Sequence, residues 1–433
     1  MKPGRSTDSR LPRTPLLLAY PLRIPGGVPT GASLLSELPR EDALPTLQAL
    51  RVARSMARAQ ELGWRFLDAR ALSAKEEALI GILQAQMEES PGEERVLLQV
   101  AWQIVAEARR RRNADLGKLY WGCYCALEWA LSNDAAESGF AFAEAAALVW
   151  PENARLAWIA GKLYRNHGHM REAEYWLRRA IRVAVWTKDW ETKARGLIAL
   201  GNGYLERGNY GRARDLHLRA LRISRRHHLK EPAAMALHDL FIIASSTDNI
   251  KEAENYCRRA FEAYGTTHDN LPALAYDIAY FWLGQGHLAL ALPVLEAVLP
   301  HLQQPLEQLR VLASIARAAG ALDLRPTFQK AWMKSWEILG DAPGKFPVSA
   351  ALLELGLGAS SLSEWDHART AFESASEMAH RWEEADILPR AELALSAVQR
   401  RISAETVQHP RIQRRQCADR LATEIIQSLA ALG

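Results

Sequence analysis

Two histidines flank a glycine at His167, Gly168 and His169, and two cysteines stand two apart at Cys123 and Cys125. Imidazole and thiolate ligate zinc and the softer transition metals, so each pair could begin a metal site. No Cys, Asp or further His gathers beside the histidines to complete a shell. Residues two apart on a helix face different directions, so the cysteines read as buried thiols. Arg222, Arg225, Arg226, His227, His228 and Lys230 form a basic knot, and residues 109–112 and Arg400, Arg401, Arg411, Arg414 and Arg415 form two more. Cations in such runs either contact phosphates or favour a helix C-terminus while their stems cover surface. The second reading is favoured for the knot at the end of its helix; the other two runs admit both readings, which the acidic neighbours Glu107 and Glu405 dilute. A Gly-rich phosphate loop, a G-x-S-x-G elbow and an H-E-x-x-H helix are all missing from the sequence. The expectation is a non-enzymatic protein with no catalytic residue, no metal and no cofactor.

Composition agrees with that expectation. The 433 residues are 48% hydrophobic and 24% charged, as in ordinary globular proteins. With 54 Lys+Arg against 50 Asp+Glu, the net charge of +4 lacks the footprint of a dedicated nucleic-acid binder. Four cysteines, Cys123, Cys125, Cys257 and Cys417, without C-x-x-C spacing make a disulfide framework unexpected. The apolar run at residues 16–20 is too short for a signal-peptide core, and no stretch approaches the roughly 18 apolar residues that span a bilayer. A cytoplasmic location with reduced thiols is the simplest expectation. The excess of Arg over Lys reads as coding bias in a GC-rich bacterial genome.

Eight prolines lie within the first 45 residues, which predicts a loose or extended arm over residues 1–40. Beyond it Ala, Leu, Arg and Glu dominate and apolar residues recur every three or four positions, as in Leu44, Leu47, Leu50, Val52 and Met56. Residues 41–118 read as an N-terminal helical extension of about three helices. Residues 119–385 read as repeats. Residues 386–433 read as two capping helices, broken around His409 and Pro410, with a basic tail.

The repeats are legible as spaced small residues. Around Gly201, apolar residues stand at −4 and −1 (Leu197, Leu200), an aromatic at +3 (Tyr204), and Ala213, His217 and Ala220 at +12, +16 and +19. The same offsets recur around Gly161, Phe241 and Gly356, and more weakly around Leu127 and Ala279. At +7 from these six anchors stand Asp134, Gly168, Gly208, Asp248, Gly286 and Ser363, all able to turn a chain. A seventh copy anchored at Ala313 puts Gly320 at +7, although Arg325, Gln329 and Trp332 then spoil its second helix. Small residues at the anchor and +12 let paired helices cross closely, while large ones at −4, −1, +3 and +16 fill the grooves between hairpins.

The pattern resembles the tetratricopeptide repeat, whose signature is W-x2-L-G-x2-Y followed by A-x3-F and a further Ala. The resemblance implies an all-α fold, a right-handed solenoid of antiparallel helix pairs, with six to seven repeats. The anchors step by 34, 40, 40, 38, 34 and 43 residues, against a usual period of 34. Lengthened repeats of this kind are similar to those in the sensing domains of bacterial regulators, including peptide-pheromone receptors. Those receptors begin with a DNA-binding helix-turn-helix, which this sequence lacks.

The resemblance further implies an inner face built from the first helix of each pair, at offsets −3, +1 and +4. Those offsets select Tyr124, Glu128, Trp158, Lys162, Arg165, Asn202, His238, Tyr276 and Tyr280 as candidate groove residues. Aromatic anchors beside Lys162, Arg165 and Asn202 suit a peptide with apolar side chains and an acidic group. A Lys/Asn clamp for a chaperone tail is disfavoured, since Tyr124, Trp158, Ile198 and His238 occupy slots that would need Lys. The expected partner is a protein or peptide ligand, possible regulatory or effector proteins included, with direct nucleic-acid contact and membrane insertion unexpected. The alternative is a regulator of transcription or defence signalling that reaches nucleic acid, or a complex containing it, through the basic patches.

Overall fold

The computed structural model describes residues 152–341, 348–381, 384, 387–404 and 416–432, together with residues 124, 143 and 147. The expected arm, the 41–118 extension, most of the repeat anchored at Leu127 and the break at His409 and Pro410 lie outside the described residues. Among the described residues there are fourteen α-helices, one short 3-10 turn and no strand.

Twelve of the helices pair into six antiparallel hairpins. These are α1 (Ala154–Asn166) with α2 (Met170–Thr187), α3 (Trp190–Leu205) with α4 (Tyr210–Arg226), and α5 (Lys230–Ser246) with α6 (Ile250–Tyr264). They continue with α7 (Leu271–Gly284) and α8 (Leu288–Val298), α9 (Pro305–Ala321) and α10 (Arg325–Asp341), and α11 (Ser349–Ser361) and α12 (Trp365–Arg381). The remaining two are α13 (Leu388–Gln399) and α14 (Gln416–Ala430). The fold is an all-α array of helical repeats.

One backbone hydrogen bond recurs in every hairpin. The N–H at +8 from each anchor donates to the carbonyl at +3, closing the end of the first helix. The pairs are His169 to Tyr164, Asn209 to Tyr204, Asn249 to Ala244, His287 to Trp282, Leu324 to Ala319 and Glu364 to Ala359, at 2.8–3.0 Å. The residue before each donor is left-handed: Gly168, Gly208, Asp248, Gly286, Asp323 and Ser363 have φ between 53° and 81°. This is the Schellman geometry that closes many helices. The side chains of Asn209 and Asn249 then accept from Arg212 N and Glu252 N, starting the next helix.

The fifth hairpin corrects one expectation. Gly320 is a buried residue inside α9 and does not turn the chain; Asp323 does. The anchor of this copy is therefore Ala316, three residues later than the sequence spacing suggested. Phe328, Trp332 and Ser335 then occupy +12, +16 and +19, and Phe328 is 1% exposed. With anchors at 161, 201, 241, 279, 316 and 356 the steps become 40, 40, 38, 37 and 40.

The anchor slot is where paired helices touch. A Cβ on Gly161 would lie 2.6 Å from Leu177 Cγ, one on Gly201 would lie 2.5 Å from His217 Nε2, and one on Gly356 would overlap the Phe372 ring. Each clash is with the residue at +16. Phe241 inverts the arrangement, a large anchor paired with the small Cys257 at +16, both buried.

The chain divides into two units, residues 1–236 and 237–433. In the first, α3 packs on both α2 and α1. In the second, α9 packs on α8, α10 and α11, and α13 lies along α12. The C-terminal helix α14 returns to α8 and touches α7, burying Leu421, Ala422, Ile425 and Leu429.

Candidate functional site: the inner faces of the first helices

In the first unit the residues at the expected groove offsets centre on Trp158, half-buried on α1. Lys162, one turn along the helix, holds its ammonium 5.7 Å from the centre of the Trp158 ring, and Arg195 of α3 holds its guanidinium carbon at the same distance. The fixed charges of two cations thus meet the negative face of one indole. Arg195 is itself anchored: its guanidinium donates to Glu191 at 3.0 Å and to Glu231 at 2.6 Å. Lys162 is exposed, and Arg165, further along α1, reaches Glu206 at 3.6 Å. Burial pushes the Glu206 carboxyl above its usual range, against the pull of Arg165 and Arg207. Asn202 is half-buried on α3.

Beside this face, a shallow cleft between α2 and α3 is floored by Ala173, Leu177 and Leu200 and rimmed by Arg165 and Arg207. Its wall is polar. The Tyr204 hydroxyl donates to Glu174 at 3.1 Å, and Arg178 donates to the same carboxylate at 2.7 Å. Burial alone would raise the Glu174 carboxyl, but these bonds and the charges of Arg178 and Arg207 hold it below its usual range.

In the second unit, His238 of α5 is 9% exposed and its Nε2 lies 2.8 Å from Asp277 Oδ2 on α7. Burial alone would lower the imidazole, yet the Asp277 bond and charge, with Asp239, raise it overall. Tyr276 and Tyr280 occupy −3 and +1 on α7 with ring centres 5.9 Å apart. Tyr280 is 36% exposed, and its hydroxyl donates to Glu354 on α11 at 3.1 Å. Glu354 also accepts from Arg317 of α9 at 2.9 Å, an ion pair with side-chain exposures of 4% and 2%. The Glu354 charge and burial together hold the Tyr280 hydroxyl far above the usual phenol range, and burial does the same for Tyr276.

The structure therefore brings Trp158 and Lys162 together in one unit and His238, Tyr276 and Tyr280 into one region of the other. Tyr124 is helical and half-buried, and Glu128 lies outside the described residues. The groove offsets do not hold throughout: Leu353, Leu357 and Ser360 are fully buried on α11, and the Ala404 N–H donates to the Ser360 hydroxyl, so that stretch is covered by the chain itself. Sequence reasoning missed Arg195, Arg317, Asp277 and Glu354. Arg317 stands at +1 of the corrected anchor, so the three-residue error alone hid it. Arg195 stands at offset −6, one turn before the positions that the resemblance selects.

Among the described residues no group of three or more His, Cys, Asp or Glu could hold a metal ion, and no helix is long and apolar enough to cross a membrane. Buried Cys257 donates its thiol to the Glu254 carbonyl at 3.2 Å.

Residues 194–231 match the family model of the tetratricopeptide repeat. No curated protein matches the sequence. Among solved structures, BtubC (BKLC) from P. vanneervenii is similar over 54% of this chain and 94% of its own, with 16% identity and a TM-score of 0.39. A Rap protein complexed with competence and sporulation factor covers 84% of this chain and 99% of its own at 10% identity, TM-score 0.35. Aspartyl phosphate phosphatase F from Bacillus subtilis covers 89% and 96% at 12% identity, TM-score 0.34. The tetratricopeptide match thus covers the α3–α4 hairpin of an all-α array of helical repeats, and the chain's own residues must supply any finer functional reading.

Proposed function

We propose that the chain is a non-enzymatic scaffold or receptor that holds a peptide or protein segment against the inner faces of its first helices, in a regulatory role. The observation that carries this reading is Trp158, a half-buried indole set between Lys162 and Arg195 on adjacent helices. An aromatic fixed by two cations is a rigid anchor with little side-chain entropy left to lose on binding. The surrounding acids do not cancel the site, because Glu191 and Glu231 are engaged by Arg195 and leave exposed Lys162 to meet a ligand.

Selection of a displayed random-peptide library on the full chain tests the reading. Peptides should be recovered, and Trp158→Ala should weaken them about tenfold or more, while the helical signal of the protein stays unchanged. Recovery indifferent to Trp158→Ala would remove this face as the binding surface.

A second reading has its own observation. Trp190 stacks on His227 at 4.6 Å, joining two turns that carry Lys188, Arg225, Arg226, His228 and Lys230 on their surface. This basic end suits a nucleic acid or a complex containing one. A gel shift at about 50 mM salt decides it, because phosphate contacts are strongest there.

A further inference from the structure

At one end of the first unit, cations stand on two turns whose acids are turned to other work. The turn from α2 to α3 and the turn from α4 to α5 repeat each other, and each holds a left-handed residue that is not glycine, Lys188 (φ 58°) and His228 (φ 55°). Two contacts hold these turns side by side. The Trp190 ring stacks on His227, with centres 4.6 Å apart and planes 11° from parallel, and Arg195 of α3 reaches Glu231 of α5 at 2.6 Å. Lys193 sets its ammonium 5.0 Å from the centre of the same indole.

The acids at this end, Asp189, Glu191 and Glu231, are engaged. Asp189 accepts from Thr192 N at 3.0 Å, and Glu191 and Glu231 both pair with Arg195. Lys188, Arg225, Arg226 and Lys230 are exposed, and none of them has an ion pair among the described residues. Their positions follow from the chain itself: Arg225 and Arg226 end α4 just before stacked His227, Lys230 begins α5, and Lys188 stands two residues before Trp190.

A peptide carboxylate would satisfy one or two of these cations and leave the rest. A nucleic-acid duplex carries about one negative charge per 1.7 Å of its axis and can meet all four. Trp190 supplies rigidity and not a platform for bases, because His227 and Lys193 already sit against its ring. The net charge of +4 for the whole chain does not oppose such contact, since at physiological salt a phosphate feels charges within about 8 Å.

We infer that Lys188, Arg225, Arg226 and Lys230 bind the phosphate backbone of a nucleic-acid duplex without reading its bases. The inference rests on the second reading above and narrows it to a duplex met by charge alone.

The test is fluorescence anisotropy of the full chain with short DNA duplexes of unrelated sequence, an RNA duplex and a DNA single strand of the same length, and an oligo-glutamate peptide. At about 50 mM salt all duplexes should bind within about threefold of one another, because phosphate contacts carry no sequence information. Affinity for the DNA duplex should fall with salt along a log–log slope between about −2 and −4. The Arg225→Gln/Arg226→Gln/Lys230→Gln variant should flatten that slope by up to about 3 and bind at least about tenfold more weakly. The Arg225→Lys/Arg226→Lys/Lys230→Arg variant should stay within about threefold of wild type, which guards against an effect of misfolding. Tighter binding of the single strand than of the duplex, or a preference among duplexes above about tenfold, overturns the backbone assignment and leaves nucleic-acid binding standing. Undiminished binding by the Gln variant removes this end as the surface. Tighter binding of oligo-glutamate than of any duplex overturns the choice of partner. If no nucleic acid binds at about 50 mM salt, the inference and the second reading fall together, and the peptide-holding reading is untouched.

Discussion

Gly320 of α9 lies against Gly358 of α11 so closely that a methyl group on the first would overlap the carbonyl oxygen of the second. The reverse also holds, a Cβ on Gly358 meeting the backbone of Ala316 and Arg317. A backbone carbonyl cannot rotate away as a side chain can, so the two helices would have to separate. Gly320→Ala should therefore lower stability by at least about 2 kcal/mol, although alanine is the better helix former. Gly211, in α4 with open space around its Cβ direction, is the control. Gly211→Ala should be neutral or raise stability by up to about 1 kcal/mol. Urea titration of both variants checks the contrast, and similar midpoints would contradict the packing argument.

The hairpins were legible in the sequence because their closing residue is local. A left-handed position favours Gly, Asp and Asn, and Gly168, Gly208, Asp248, Gly286 and Ser363 stand in it at one fixed offset. Gly320 misled for a physical reason. It is glycine because of a neighbouring helix, and a contact with α11 leaves no mark at its own position in the sequence. The candidate site was only partly legible for the same cause. Trp158 follows from its offset, but Arg195, which meets its ring, comes from the next hairpin, and the partners of that arginine, Glu191 and Glu231, come from α3 itself and from α5.

The corrected register makes Asp323 the residue that closes α9, with φ of 56°. A non-glycine residue there bears a conformational cost that glycine relieves. Asp323→Gly should raise the unfolding midpoint slightly, by an amount worth up to about 1 kcal/mol. Asp323 also sits 3.4 Å from the Arg325 guanidinium, but that pair is exposed and contributes little. A clear loss of stability in Asp323→Gly would count against the anchor at Ala316.

The ion pair of Arg317 and Glu354 joins α9 to α11 with both side chains almost out of water. Removing one member leaves the other as an uncompensated buried charge. Glu354→Gln should cost about 3–5 kcal/mol. Replacing both by leucine should cost less than that single change, because the penalty lies in the stranded charge. Chemical denaturation of the single and double variants measures the difference. A double variant less stable than Glu354→Gln would show that the pair itself, with the Tyr280 hydroxyl bonded to it, supplies the stability.

His238 and Asp277 couple the second unit to pH. The folded imidazole binds its proton more tightly than an ordinary histidine, whose value is about 6.5. Its contribution is then fully present below that unfolded value and fades as the pH rises through the folded one. Asp277→Asn removes the bond and the charge while leaving His238 buried, so burial alone acts on the imidazole and favours the neutral form. The stability gap between wild type and Asp277→Asn should be widest near pH 6 and should narrow towards pH 9. Thermal unfolding across that range reads the gap directly. A gap that stays constant would mean that the pair does not hold its proton in the folded chain, and that Asp277 acts there as a packing residue only.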